Sequence, residues 1–328
     1  MKSKIVLVCL FNMFFVLQCV KAQNIQTFGD IIQLSLNSYK AGEIQWQFSK
    51  DKLEWKDITG ATKTDLIYKV ADSGYFRARV SNPCKYFSDT TFIEVWKREY
   101  HMNLIKGLNN QGLVYENGKI YVANDIDGIN SQIIKYDWNT QTVIRKILNL
   151  AIGHGAEIDY LKSKKQLFAT NGSGNAICKV YSINIEDTVP AIQRTYNLAK
   201  LGYSSLIALN EEKNIFYVIS SLTGDKGSHV ITPVDIETGI PDIANQFTLP
   251  NMGLPNGAKF RNGKLYFLLG STSTIIAIID TEKKKLDKVI VFPNTDEPEG
   301  LGIIEDSVNN SFKFVVGYVN DCVYTVSF

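Results

Sequence analysis

Five short segments of this chain align at one register, and each opens on a polar residue: Gln111, His154, Ser204, Asn256 and Glu299. They head Gln111-Gly112-Leu113-Val114-Tyr115, His154-Gly155-Ala156-Glu157-Ile158, Ser204-Ser205-Leu206-Ile207-Ala208, Asn256-Gly257-Ala258-Lys259-Phe260 and Glu299-Gly300-Leu301-Gly302-Ile303, at offsets of 43, 50, 52 and 43. His154 and Glu299 are the two members that exchange protons near neutral pH, which makes them a candidate acid–base pair. As a set, the five are candidate ligand-binding residues, with His154 and Glu299 as the catalytic residues if the chemistry is enzymatic. His154, Asn256 and Glu299 also offer a mixed nitrogen and oxygen set, which suits a transition metal better than calcium. Asn124-Asp125-Ile126-Asp127-Gly128-Ile129-Asn130 has the composition of a calcium loop but lacks the EF-hand spacing and its final Glu. The expectation is therefore no metal and no cofactor.

The elements that hold these residues repeat with them. Each segment is followed by a turn and an apolar strand. Asn117-Gly118-Lys119-Ile120-Tyr121-Val122 and Asn262-Gly263-Lys264-Leu265-Tyr266-Phe267 are near-copies that carry the Asn-Gly hairpin signal. A third strand leads to a polar hairpin, as in Asp137-Trp138-Asn139-Thr140-Gln141 and Asp235-Ile236-Glu237-Thr238-Gly239, and a fourth strand closes the unit. Four-stranded units repeating every 40–50 residues or so predict a β-propeller. Five units fit. The last ends at its third strand, and the apolar stretch at 100–105 is expected to supply the fourth, joining the chain ends in one blade. The five polar residues then face the mouth of a central channel, beside loops at 124–131, 171–175, 220–229, 270–274 and 317–321. Convergent polar groups at such a mouth form a default ligand site, although a solvated channel has the same composition.

Before the repeats, residues 23–97 show period-two runs such as Glu43-Ile44-Gln45-Trp46-Gln47-Phe48 and Tyr75-Phe76-Arg77-Ala78-Arg79-Val80, which predict a β-sandwich. Asp72-Ser73-Gly74-Tyr75 has the form of an immunoglobulin-type tyrosine corner, and Arg77 stands where the disulfide cysteine would be. At the N-terminus, Lys2 and Lys4 precede an apolar run over 5–20 and then Val20-Lys21-Ala22, the pattern of a signal peptide spanning 1–22. Cys19 gives a competing lipid anchor, but Gln18 fits a lipobox poorly. The expected location is the periplasm, the cell surface or the medium. Beyond the leader only Cys84, Cys178 and Cys322 remain, an odd and sparse set that is no disulfide framework.

The whole is expected to be all-β: an N-terminal Ig-like β-sandwich (23–97) followed by a five-bladed β-propeller (98–328). The stretch Gln45-Trp46-Gln47-Phe48-Ser49-Lys50-Asp51 with Trp55-Lys56-Asp57-Ile58 is similar to Ig-like modules of exported Bacteroidetes proteins, which implies a spacer or a contact with an envelope protein. The repeat half resembles the five-bladed plant-type glutaminyl cyclotransferases in Gln111-Gly112-Leu113, the Asn117-Gly118-Lys119 hairpin, Asn256 and Glu299-Gly300. It is also similar to secreted helveticin-like and teichoic-acid-associated propellers, which share the Gln-Gly opening and a Gly-His-Gly, here Gly153-His154-Gly155. Leu254-Pro255-Asn256-Gly257 resembles gluconolactonase-type propellers. The cyclotransferase family places a catalytic Glu where this chain has His154 and an aromatic where it has Ser204.

The function these readings favour is an exported binding protein whose channel mouth takes a small molecule, glycan or peptide. The alternative is a propeller enzyme, a cyclotransferase, lactonase or lyase, using His154 and Glu299. Formal charge is +2 over 328 residues, and three of the lysines lie in the leader, so the chain lacks the basic footprint of a nucleic-acid binder.

Overall fold

In the computed structural model, the residues described are 5–7, 25–27, 29–36, 39, 41–81, 85–172, 174–224, 227–270, 273–293, 296–306, 308 and 311–327. Most of the expected leader, Cys19 included, and Cys84 lie outside them. The chain divides into two compact units, one of residues 1–98 with 327–328, the other of residues 99–326.

Unit 1 consists of two sheets around one core. One sheet has the order Ile5–Leu7, Ile31–Leu36, Asp65–Lys69. In the other, Glu43–Ser49 and the first half of Thr91–Asn103 flank Gly74–Ser81. Strict alternation drives the packing. Phe76, Ala78 and Val80 are buried while the residues between them stay half-buried. Trp46 is fully buried among Leu34, Leu66, Phe76 and Ile93, and its indole N–H finds the Lys63 carbonyl at 2.9 Å. The tyrosine corner does not form as expected. The Tyr75 ring packs on Phe92, and its hydroxyl makes no hydrogen bond among the described residues, so the Asp72-Ser73-Gly74 turn sits there without that anchor.

Unit 2 is a propeller arrangement of antiparallel sheets. Four are separate and four-stranded. They comprise Asn109–Glu116, Lys119–Asp125, Ser131–Asp137 and Val143–Leu150; then Ile158–Leu161, Gln166–Thr170, Lys179–Asn184 and Ala191–Asn197; then Tyr203–Asn210, Ile215–Ser221, His229–Asp235 and Phe247–Leu249; then Pro255–Arg261, Lys264–Leu269, Ser273–Asp280 and Lys285–Pro293. Five blades were expected, the last completed by the stretch at 100–105, and four separate four-stranded blades are found. The last repeat supplies Pro298–Asp306, Ser311–Tyr318 and Cys322–Ser327 but no fourth strand of its own. The neighbour of Cys322–Ser327 in the sheet is Thr91–Asn103. Met102 and Leu104 are buried with Val315 and Val323 in one core. Asp321 accepts hydrogen bonds from Leu104 N–H on its carbonyl and from Gly107 N–H and Asn110 Nδ2 on its carboxylate.

The hairpins follow local chemistry. Asn117-Gly118 and Asn262-Gly263 take positive φ at both positions, as a two-residue hairpin with the strands' twist requires. Asp137 and Asp235 each turn their carboxylate onto the N–H three residues on, at 2.8 and 2.6 Å. Neighbouring sheets are clasped by a repeated arginine. Arg145 donates to the carbonyls of Ile185, Asp187 and Thr188, and Arg194 to those of Ile236, Glu237 and Thr238.

The inner strands Asn109–Glu116, Ile158–Leu161, Tyr203–Asn210, Pro255–Arg261 and Pro298–Asp306 neighbour one another in a closed circle. Glycine permits the close approach. A Cβ at Gly112 would lie 2.5 Å from Glu157 Cα, and one at Gly300 would lie 2.6 Å from Leu113 Cβ.

Candidate functional site

The pairing of the inner strands slips where the sequence placed the polar ring. In Asn109–Glu116 the register shifts between Asn110 and Leu113, and in Tyr203–Asn210 between Tyr203 and Leu206. In Pro255–Arg261 it shifts between Pro255 and Gly257, and in Pro298–Asp306 between Pro298 and Gly300. Each slip is a β-bulge, with one unpaired extra residue that re-aims a side chain. Gln111, Ser204, Asn256 and Glu299 all fall in these bulges. His154 lies outside any strand, just before Ile158–Leu161. The side chain of Ser204 is outside the described residues.

The structure joins Gln111 to His154 through two residues the repeat did not single out. Gln111 Nε2 donates to Asn109 Oδ1 at 3.1 Å, and Asn109 Nδ2 donates to Asp125 Oδ2 at 3.4 Å. The same Asp125 oxygen meets His154 Nδ1 at 2.8 Å. A carboxylate on Nδ1 sets the tautomer and leaves Nε2 as the working nitrogen. The other histidines are structural. His101 stacks on Trp138 with ring centroids 3.5 Å apart. His229 is buried, which pushes its pKa down to about 4, and its Nε2 accepts the Met252 N–H.

Asn256 acts as a clamp. Its Nδ2 donates to the Gly270 carbonyl at 2.8 Å and to the Pro298 carbonyl at 2.5 Å, tying the fourth inner strand to the fifth. Glu299 has no hydrogen bond or ion pair among the described residues. Burial, aided by the charge of Glu297, pushes its carboxyl up to about 8. No contact joins Glu299 to His154, so the two occupy one end of the inner strands without forming a direct pair. In the loop with calcium-like composition, Asp125 and Asp127 accept the N–H groups of Gly128, Ile129 and Asn130, and Asn130 Nδ2 reaches Asp127. These carboxylates cap their own turn.

The sequence reading passed over the centre of the ring. Glu157 and Lys259 stand three residues after His154 and Asn256, at one column of the repeat. Both are buried, and Lys259 Nζ lies 2.6 Å from Glu157 Oε1. Glu157 also accepts the Ala258 N–H at 2.6 Å and the Ile158 N–H at 3.0 Å. Lys259 gives its remaining protons to the carbonyls of Ile158 and Ala258. Burial raises the Glu157 carboxyl above the ordinary range, and the Lys259 ammonium and Ala258 N–H pull it part of the way back. The opposed charges were visible in the alignment as the only ionisable pair in an otherwise apolar column. Beyond this pair, at the C-terminal ends of the inner strands, lies a cavity of about 370 Å³.

A family model described as "Domain of unknown function (DUF8696)" matches residues 19–97. No curated protein matches the chain. Among solved structures the chain is similar to the tail fibre of Staphylococcus aureus phage P68, at 12% identity and a TM-score of 0.48, covering 70% of this chain and 52% of that one. It is similar to Myxococcus xanthus glutaminyl cyclase at 12% identity and a TM-score of 0.47, covering 70% and 93%. Likeness to Chaetomium thermophilum Raptor is 10% identity with a TM-score of 0.42, covering 67% and 20%. The chain thus spans about half the phage fibre chain and a fifth of the Raptor chain.

Proposed function

We propose that unit 2 is a binding module that takes a small molecule, glycan or peptide at the bulged ends of its inner strands. The repeated bulge carries this reading, because four inner strands break their ladder at the aligned polar position. Gln111, His154 and Glu299 are the recognition groups there. Asn256 fixes the distance between two of the strands. Glu299, half-buried and without a hydrogen-bond or ion-pair partner among the described residues, is the group a ligand would satisfy. In this reading Pro298–Asp306, Ser311–Tyr318, Cys322–Ser327 and the end of Thr91–Asn103 serve as a fifth blade. Unit 1 is an Ig-like spacer, also available to an envelope protein, and the chain is exported.

The test is a thermal-shift and calorimetric screen of the full chain against mono- and disaccharides, dipeptides and small carboxylic acids. With the best probe found, His154→Ala and Glu299→Ala should each weaken binding roughly ten- to a hundred-fold, the worth of one charged hydrogen bond, while each variant still unfolds in one cooperative transition. If both variants bind that probe as the parent does, the site is misplaced.

The Asp125–His154 contact favours a second reading, an enzyme. A histidine oriented through Nδ1 presents Nε2 as a base, and a carboxyl held near 8 is a usable acid at neutral pH. Turnover of N-terminal glutaminyl peptides or lactones, with a bell-shaped pH profile lost in Asp125→Asn, would select this reading over simple binding.

A further inference from the structure

All five inner strands send residues to the cavity at their C-terminal ends, on the far side of the Glu157–Lys259 pair from the bulges. Its volume of about 370 Å³ lies in the range of small-ligand sites. Tyr115, Tyr160 and Phe260 give it aromatic walls. Its charges do not cancel. Each cation is already held: Lys259 by Glu157, Lys162 by Glu116 at 3.4 Å, and Arg261 by Glu305 at 3.1 Å. Three lining carboxylates, Asp159, Glu211 and Glu212, form no close ion pair of their own among the described residues, Asp159 feeling only the Lys259 ammonium that Glu157 already holds.

Asp159 is the telling member. It is 7% exposed, and its two oxygens accept only the N–H groups of Tyr160 and Leu209, at 3.0 and 2.8 Å. Lys259, already paired with Glu157, is also the cation that offsets Asp159 through space, so two buried carboxylates share one ammonium; that is costly, and a neutral amide would accept at least one of the bonds Asp159 accepts. Glu211 is likewise held only through the N–H groups of Lys162 and Ser163. A ligand ammonium or guanidinium would give Asp159 a counter-charge of its own in place of one shared with Glu157, and the aromatic walls would favour the same cation.

We propose that this cavity is a second binding site, for a small organic cation of the amine or guanidinium class, with Asp159 as its charge partner. Burial pushes the Asp159 carboxyl upward, and a bound cation would oppose that shift as Lys259 does in part. The site is separate from the bulged end and stands whether or not that end binds anything.

The test uses the full chain in calorimetry with agmatine and putrescine, and glutarate as the anionic counterpart. Agmatine or putrescine should bind with a dissociation constant of about 1 mM or tighter, and glutarate should not bind. Asp159→Asn should weaken binding at least tenfold and Glu211→Gln by a smaller factor, while Glu299→Gln should leave it unchanged. Glu211→Gln covers the case in which Asp159→Asn fails to fold. Binding of glutarate in place of the amines, no amine binding at millimolar concentration, or amine binding lost in Glu299→Gln but kept in Asp159→Asn would each overturn the proposal.

Discussion

Lys259→Met tests what closes the centre of unit 2. The substitution keeps the apolar stem and removes the ammonium, which lies 2.6 Å from Glu157 Oε1. A buried carboxylate is left with only the N–H groups of Ala258 and Ile158, and the carbonyls of Ile158 and Ala258 lose a donor. Breaking a buried ion pair by removing one partner costs about 3–5 kcal/mol. The carboxyl can escape part of that cost by taking a proton, so the loss should be smaller at pH 5 than at pH 8. The double variant Glu157→Gln/Lys259→Met removes both charges and keeps an acceptor for one N–H, and should recover most of the loss. Urea-dependent hydrogen exchange, read on peptides from Leu206 to Ile219, reports unit 2 alone. A cost below about 1 kcal/mol for Lys259→Met, or a double variant as unstable as the single at every pH, would refute the argument that the pair's charges must be matched.

Glu299 predicts a pH effect of definite sign. Its folded carboxyl titrates near 8 against an ordinary value of 4.5, so between those values the native state holds a proton that the unfolded chain has lost. Stability therefore falls as pH rises through that window, and Glu299→Gln should flatten the profile. Allowing for partial solvent contact, the difference should be on the order of 2 kcal/mol, read from unfolding midpoints between pH 5 and 8. Arg145→Lys should cost unit 2 about 1–2 kcal/mol, because one ammonium cannot span the carbonyls of Ile185, Asp187 and Thr188. An unchanged unfolding midpoint would show that the clasp contributes nothing.

The glutamate ring member and the central pair belong to the same ring of inner strands, Glu157 just before its strand, but behave differently, and burial explains the contrast. Glu157 is enclosed with its counter-charge, so its value is structural. Glu299 is left half-buried at a strand end with no hydrogen bond or ion pair among the described residues, so its proton is available to a ligand or to solvent. A strained or incompletely satisfied group at the end of a rigid strand is where binding energy is gained at small entropic cost.

Period and turn chemistry are local, and they were legible without coordinates. Alternation marked the strands of unit 1, Asn117-Gly118 and Asn262-Gly263 marked hairpins, and the aligned segments marked the inner strands of a propeller. The alignment set Gln111, Ser204, Asn256 and Glu299 at equal depth in repeated strands, and the register shifts fall at those positions. Partnership across sheets was not legible. Asp125 reaches His154 from a strand of the preceding sheet, Asn256 bonds a carbonyl of the next inner strand, and Asp321 fastens a segment more than two hundred residues earlier in the chain. The number of independent sheets was also decided by pairing, with four standing alone and the last repeat set beside Thr91–Asn103, the strand that holds part of the expected closing stretch at 100–105. The Glu157–Lys259 pair shows the division most clearly. Both residues sit in the quoted repeat, but their meeting depends on how closely Gly112 and Gly257 let the inner strands approach. That distance is set by the closing of the whole ring, a property no single stretch of sequence carries.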